Sequence, residues 1–430
     1  MHAGIIGGGV CGLTAAIRLA QRGAQVDLFE AAPREGGRTR SYFEKGIGQW
    51  VDNGPHLISG AYQDTGQLLA EAGALDMLTW QDSLNLPLWD RQRGHFTLAP
   101  SASLPLALAM PLASACLPGH GWSDITAMLR MAGRLKRPVD GGLSAGAWLE
   151  SMHLPTALIR DLLEPMCLGA MNEPLERANA ASFSRVLNDA FADHGHARLG
   201  WFNRPLSEAL VQPLQAMAES LGVRMHSSCR IRAVQANNSG AQLGIAGEQR
   251  QFDACILALP LRRAQQLLGL HVTAVTRRIS NIHMWFTEMP ALPHPFIGGI
   301  GTTGQWFFDV TSQMPGQPRA EAGGKRLRHI CAVISADEQA LRDEKKLAVI
   351  IRELAEIEGN GKRREPYLAR VVSEHHATVS VHSGELDLPL PDNVISACEA
   401  PLAGDIPATI EAAVRRANHA AEQCYLQYIR

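Results

Sequence analysis

Gly7-x-Gly9-x-x-Gly12 and Glu30 are the first residues whose types and spacing point to chemistry. Gly7 permits a tight turn, Gly9 lets the backbone approach a pyrophosphate, and Gly12 lets a helix pack close to a strand. A helix opening on such a turn offers free N–H groups and the positive end of its dipole to phosphate oxygens. Glu30 follows at about the 20-residue spacing at which a carboxylate accepts ribose hydroxyls. An acid there disfavours a 2′-phosphate, so FAD or NAD fits better than NADP. A second cluster, Arg34-Glu-Gly-Gly37-Arg38-Thr39, sets paired glycines beside an arginine, a combination suited to holding phosphate by backbone and guanidinium.

These residues need a βαβ unit to position them. Ala3–Ile6 reads as a short buried strand. Leu13, Ala16, Ile17 and Ala20 recur at helical spacing, Gly23 ends that helix, and Ala24–Glu30 reads as the second strand. Further on, Gly222–His226 and Cys229–Val234 read as short strands, and Phe252–Pro260 as a buried strand ending in proline. Pro407 is expected in the first turn of a last helix running through Arg415.

The bulk numbers narrow the class. A chain of 430 residues implies two or three structural units. A formal charge of -2 gives no electrostatic case for nucleic acid. The eight cysteines are scattered without a Cys-x-x-Cys pair, which points to reduced thiols in a cytoplasmic protein and to no metal site. Met1 runs almost at once into a strand, so no signal peptide is expected. Leu98–Leu117 is the most apolar stretch, and Pro100, Pro105 and Pro111 break it, so no spanning helix is expected.

The second glycine cluster, placed directly after Glu30, resembles the corresponding motif of the amine-oxidase and phytoene-desaturase flavoprotein superfamily. Five longer segments narrow the resemblance: Asp52–Tyr62, Glu164–Asn172, Val186–Phe191, Gly304–Asp309 and Gly404–Glu411. Together they are similar to the hydroxysqualene dehydroxylases of bacterial hopanoid biosynthesis, over nearly the whole chain. The resemblance implies an α/β fold: a Rossmann-type FAD-binding domain (1–60, 205–265 and 388–430) with an interleaved α+β substrate-binding domain (61–204 and 266–387). FAD contacts are implied at Gly7, Gly9, Val10, Cys11, Gly12, Glu30, Ala31, Arg34, Gly37, Arg38 and Thr39, with Asn53, Gly54, Pro55 and His56 passing the isoalloxazine ring. Ile231, Ala258 and Pro260 follow on the returning strands, and Pro407, Ala408 and Thr409 at the last helix. The family's Gly-Asp pair before that helix is replaced here by Cys398-Glu399, which puts Glu399 in its place, while Gly404-Asp405 stands directly at the helix start.

The activity implied is reductive removal of the allylic hydroxyl of hydroxysqualene, giving squalene. Loss of water from an allylic alcohol leaves a delocalised cation that a hydride from reduced flavin can quench. The leaving hydroxyl needs an acid, for which Glu164, Asp189 and His56 are the candidates. Trp80, Leu84, Leu86, Leu88, Trp89, Met284, Trp285, Phe286, Trp306 and Phe307 are available to line a long apolar pocket. Leu98–Leu117, with Arg91, Arg93, Arg130, Arg134, Lys136 and Arg137, is expected either to dock peripherally on the inner face of the cytoplasmic membrane or to close the pocket as a lid. Other readings of the cofactor motifs are an oxidising relative (an amine or protoporphyrinogen oxidase, a carotenoid desaturase) and a prenyl-lipid carrier of the same fold without FAD. Nothing in the sequence sets an oligomeric state.

Overall fold

Runs such as Ala3–Ile6 and Ala254–Leu257 have no polar alternation, as strands covered on both faces require. They form a five-stranded parallel sheet in the order Arg224–His226, Gln25–Phe29, His2–Ile6, Ala254–Leu257 and Val394–Ser396. Its strands therefore come from the start, the middle and the end of the chain. The computed structural model describes residues 1–237, 240–245, 247–338, 341–359, 361–381 and 388–428. The expected boundary at 387 lies outside the described residues.

The helix Val10–Gln21 follows the first strand and packs against the C-terminal helix Ile410–Tyr428. Gly23, at φ +83°, turns the chain out of the first helix as expected. The C-terminal helix corrects its expected start: it begins at Ile410 rather than Pro407. Thr409 ends the approach by capping it, its Oγ1 accepting the Ala412 N–H at 3.1 Å. Gly404-Asp405 serves a tight turn, in which Asp405 Oδ2 accepts the Leu402 N–H.

A seven-stranded sheet carries the other half. Its order is Leu368–Val379, Thr276–Phe286, Arg328–Ile334, Trp306–Asp309, Phe296–Ile300, Leu86–Asp90 and Gly94–Leu98. All pairs are antiparallel except Phe296–Ile300 with Leu86–Asp90. Side chains alternate across such a sheet, and that alternation divides the expected pocket residues. Leu84, Leu86, Leu88 and Trp306 pack in one apolar cluster. Trp89, Met284, Phe286 and Phe307 pack in another with Ile350 and Leu354 of the helix Asp343–Ile357. Trp285 joins a third cluster. The ten residues thus do not form one lining.

The stretch Leu98–Leu117 is not a single element. Leu98 ends a strand, and Leu106–Ala115 is a helix with Pro105 at its N-cap and Pro111 inside it. It pairs with the helix Trp122–Leu135. Among the described residues no helix is long and apolar enough to cross a membrane.

Candidate functional site

The two glycine clusters lie side by side. Gly36 N–H donates to Gly8 O at 2.8 Å, and Gly9 and Gly36 pair as an isolated parallel bridge. A methyl group on Gly12 would sit 1.8 Å from Gly7 O, and one on Gly37 would sit 3.3 Å from the Gly9 Cα. A methyl on Gly9 would meet no protein atom within 4 Å. Gly9 is therefore not required by internal packing, and its bare Cα faces open space. The helix it caps has no side-chain cap and no acid in its first turn, so its leading N–H groups and dipole stay available to an anion.

Glu30 is held at the edge of this cradle. Its carboxylate accepts the N–H groups of Gly8 and Ala32, each at 2.7 Å. A carboxylate has roughly four lone-pair directions, so two remain for hydroxyl donors. Arg38 is engaged more than the sequence indicated. Its Nη1 donates to Ala377 O at 2.7 Å, and its Nη2 forms an ion pair with the buried Glu399. Burial works against the Arg38 charge, and the Glu399 carboxylate outweighs it and raises the pKa. Glu399, bridged to Pro260 at the sheet end, has no hydrogen-bonded partner on Oε1. Arg416 Nε on the C-terminal helix is likewise buried without a partner. Arg34 departs from expectation: it lies exposed, with its guanidinium over the Trp50 ring at 4.8 Å, so it stands outside the cradle. Thr39 binds back to Gly36 O, Cys11 Sγ reaches Ala397 O, and Ile231 is buried at the start of its strand.

From the cradle the chain runs through the strand Gln49–Asp52 into Asn53-Gly-Pro-His56. Asn53 Nδ2 donates to Arg38 O at 2.8 Å, which ties this loop to the second glycine cluster, and Asn53 Oδ1 is buried without a partner. Gly54 lies so close to Asn281 that a methyl there would be 2.5 Å from its Oδ1. His56 Nδ1 sits 2.9 Å from Gly54 O. A carbonyl only accepts, so Nδ1 carries the hydrogen, and burial lowers the pKa and keeps the ring neutral. Its Nε2 then holds a lone pair. A neutral imidazole is a poor proton donor, which weighs against His56 among the three expected acids.

His56 lines a cavity with Asp52, Trp201, His283, Val310 and His329 among its other walls. Asp52 Oδ1 accepts Ser41 Oγ–H at 2.6 Å and Leu206 N–H at 2.8 Å. Burial outweighs these two bonds and raises its pKa to about 7. His329 Nε2 and His283 Nδ1 are 3.0 Å apart, and His283 Nε2 is 3.4 Å from Asn53 O. Burial depresses both rings, His283 to about 4, and His283 lowers His329 further, so the pair is neutral. With Asn53 O as acceptor, His283 carries its hydrogen on Nε2 and accepts the His329 Nε2 hydrogen at Nδ1.

The other two expected acids are not among the residues lining this cavity. Glu164 begins the helix Glu164–Met171, half-buried, with its pKa raised by burial and then by Glu176. Asp189 lies on the helix Ala180–Ala190, both oxygens within 2.9 Å of Arg185 Nε one turn away. The sequence placed Asp52 at the head of the segment Asp52–Tyr62 without giving it a role, and did not point out Asn281, His283 or His329. One signal was present: Asn281, His283 and Trp285 alternate with Ile282, Met284 and Phe286, so one face of an otherwise core strand is polar.

These donors and acceptors fit a dinucleotide: an open Cα at a helix start, an acid at ribose spacing, and orphaned buried polar atoms at Asn53, Glu399 and Arg416. Among the described residues no group of His, Cys, Asp or Glu is arranged to hold a metal ion.

Comparison with known proteins gives the site its context. Residues 10–423 match the family model described as flavin containing amine oxidoreductase. The chain is 29% identical over 435 residues to a hydroxysqualene dehydroxylase of Rhodopseudomonas palustris, covering 97% of each. It is 28% identical to a hydroxysqualene dehydroxylase of Sinorhizobium fredii, again over 97% of each. Among solved structures, an oxidoreductase from Methanosarcina mazei superposes with a TM-score of 0.75 at 16% identity, covering 98% of this chain and 100% of that one.

Proposed function

The chain belongs to the flavin containing amine oxidoreductase family and takes FAD as its cofactor, and we propose that it removes the allylic hydroxyl of hydroxysqualene reductively to give squalene for hopanoid synthesis. The full-length likeness to two hydroxysqualene dehydroxylases carries this reading. In this reading residues 1–60, 205–265 and 388–430 hold the cofactor and residues 61–204 and 266–387 hold the substrate, on the cytoplasmic side of the membrane.

Bound in its reduced form, FAD supplies a hydride to an electrophilic carbon. The chain's own residues have three tasks. Gly7, Gly9, Gly12, Gly37 and the N-terminus of the helix Val10–Gln21 hold the pyrophosphate, with Glu30 on the adenosine ribose. Arg38, locked by Glu399, orients the loop Asn53–His56 through the Asn53 bond to its carbonyl. Trp201 and Val310 keep water from a developing allylic cation, and an aromatic face stabilises such a charge.

The leaving hydroxyl takes one proton and departs as water, and hydride fills the carbon it leaves. We assign that proton to Asp52. A general acid works best with a pKa near the operating pH, and Asp52, at about 7, lines the cavity beside His56. Glu164 has the raised pKa without the place, and Asp189 is taken up by Arg185. Asp52→Asn keeps an acceptor oxygen for Ser41 and Leu206, so it should retain FAD and slow single-turnover dehydroxylation at least tenfold, while Glu164→Gln should not. An unchanged rate in Asp52→Asn would return the role to Glu164 or a bound water.

A further inference from the structure

The helical hairpin Leu106–Ala115 and Trp122–Leu135 divides its apolar residues between two faces. Leu106, Met110, Met128 and Met131 face inward and join the large apolar cluster. Leu108 and Leu112, one turn apart, face solvent at 52% and 43% exposure, with Leu104 just ahead of the helix at 39%. On the second helix Leu129 is 47% exposed and Trp122, at its first residue, 83%. Burying these residues inward would have cost nothing in polarity, so an outer apolar face on two adjacent helices calls for a partner.

The charges of the hairpin say what kind. Between residues 101 and 139 the sole carboxylate is Asp124, which is buried and accepts the Gly121 N–H at the helix start. Arg130, Arg134, Lys136 and Arg137 are all exposed, and none has a carboxylate partner among the described residues. Arg91 and Arg93, which the sequence grouped with them, are held by Glu356 and by Asp90 and Asp161. A leucine stripe, an exposed tryptophan and four exposed cations without a carboxylate partner among the described residues match a bilayer interface of anionic headgroups over acyl chains.

We propose that this hairpin is a monotopic docking element that lays Leu104, Leu108, Leu112, Trp122 and Leu129 into the interface of an anionic phospholipid bilayer, with the four cations on the headgroups. The inner face of the hairpin belongs to the same apolar cluster as Trp201 and Val310, which line the cavity, so apolar packing is continuous from the docking face to the site. The inference stands on the exposed surface and not on the dehydroxylase reading.

The test uses the FAD-loaded full chain, floated with vesicles of phosphatidylcholine alone or with 30–40%, roughly, of phosphatidylglycerol. Flotation is expected with the anionic vesicles and much less with the neutral ones, and it should fall as salt rises. Trp122→Ser with Leu108→Ser should abolish it. Reversing Arg134, Lys136 and Arg137 to Glu should weaken it by about five-fold per charge or more. Flavin absorbance and melting temperature should stay at the parent values in each variant. Met110 is buried, so Met110→Asp is the control that unfolds the hairpin rather than undocking it. Absence of flotation with anionic vesicles, or equal flotation of parent and variants, would overturn the proposal. So would a dimer in lipid-free solution that Trp122→Ser converts to monomer, because the face would then belong to a second copy. Turnover of detergent-dispersed substrate tests the enzymatic reading separately.

Discussion

At the scale of single residues, carboxylates do most of the work and are distinguished by their surroundings. Glu30 accepts one N–H from the first glycine turn, at Gly8, and one from its own loop, at Ala32, which leaves roughly two lone-pair directions open. Glu30→Ala should weaken FAD binding by about 1.5–3 kcal/mol, the range for a hydrogen bond to a charged group, measured by titrating the apoprotein. Affinity equal to the parent's would remove Glu30 from the site. Asp52 is the opposite case, an acid whose ionisation burial delays to about pH 7. Its folded pKa, about 7, stands above the unfolded 3.8, so the folded state holds a proton that the unfolded chain has released. Stability contributed by this group is therefore full below pH 4 and is lost as pH rises towards and through 7. The loss by pH 8 is on the order of 4 kcal/mol. Asp52→Asn keeps both hydrogen bonds without the charge, so its stability should change less between pH 5 and pH 8 than the parent's. Parallel denaturation profiles for the two would show that Asp52 titrates normally.

At the scale of elements, the glycine-to-helix turn was legible because each glycine answers a local demand of backbone geometry. Gly12→Ala would place a methyl 1.8 Å from Gly7 O, within hard-core repulsion of rigid backbone. The first helix should then shift off the first strand, with FAD occupancy falling to background and the melting temperature dropping by several degrees. A Gly12→Ala protein that purifies yellow at full occupancy would contradict this close packing. The C-terminal helix was placed three residues early, because Pro407 was read as a helix start while Thr409 supplies the cap. Thr409→Ala should cost about 1 kcal/mol of stability, read by chemical denaturation, with no change in the fold. Met284, Trp285 and Phe286 were available from sequence as apolar lining, although the alternation of the strand Thr276–Phe286 sends Met284 and Phe286 to the far face and His283 towards the cavity.

At the scale of the whole molecule, legibility followed sequence distance. Features made within about thirty residues, such as the cradle and Glu30, could be read from spacing. Arg38 with Glu399, Asp52 with Leu206, and Asn53 with His283 join segments 154 to 361 residues apart, and only the closed fold brings them together. Asp52, like the two carboxylates named as acids from sequence, Glu164 and Asp189, stands in a segment chosen by resemblance, and no local pattern could have shown that Asp52 would be the one buried beside the cavity. The molecule as a whole sets two glycine clusters side by side, a cavity lined by one carboxyl whose pKa burial raises to about 7 and by three imidazoles whose pKa burial lowers, and an apolar cluster leading to an exposed hairpin. The activity proposed for this assembly is reduction of an allylic alcohol. The direct measurement is an anaerobic single turnover of the FAD-loaded protein, reduced by one equivalent of dithionite and mixed with hydroxysqualene. Flavin absorbance and lipid products are followed together. One squalene should form for each flavin reoxidised, with the rate falling above pH 7 as Asp52 loses its proton. Flavin that stays reduced while hydroxysqualene is recovered unchanged would contradict it.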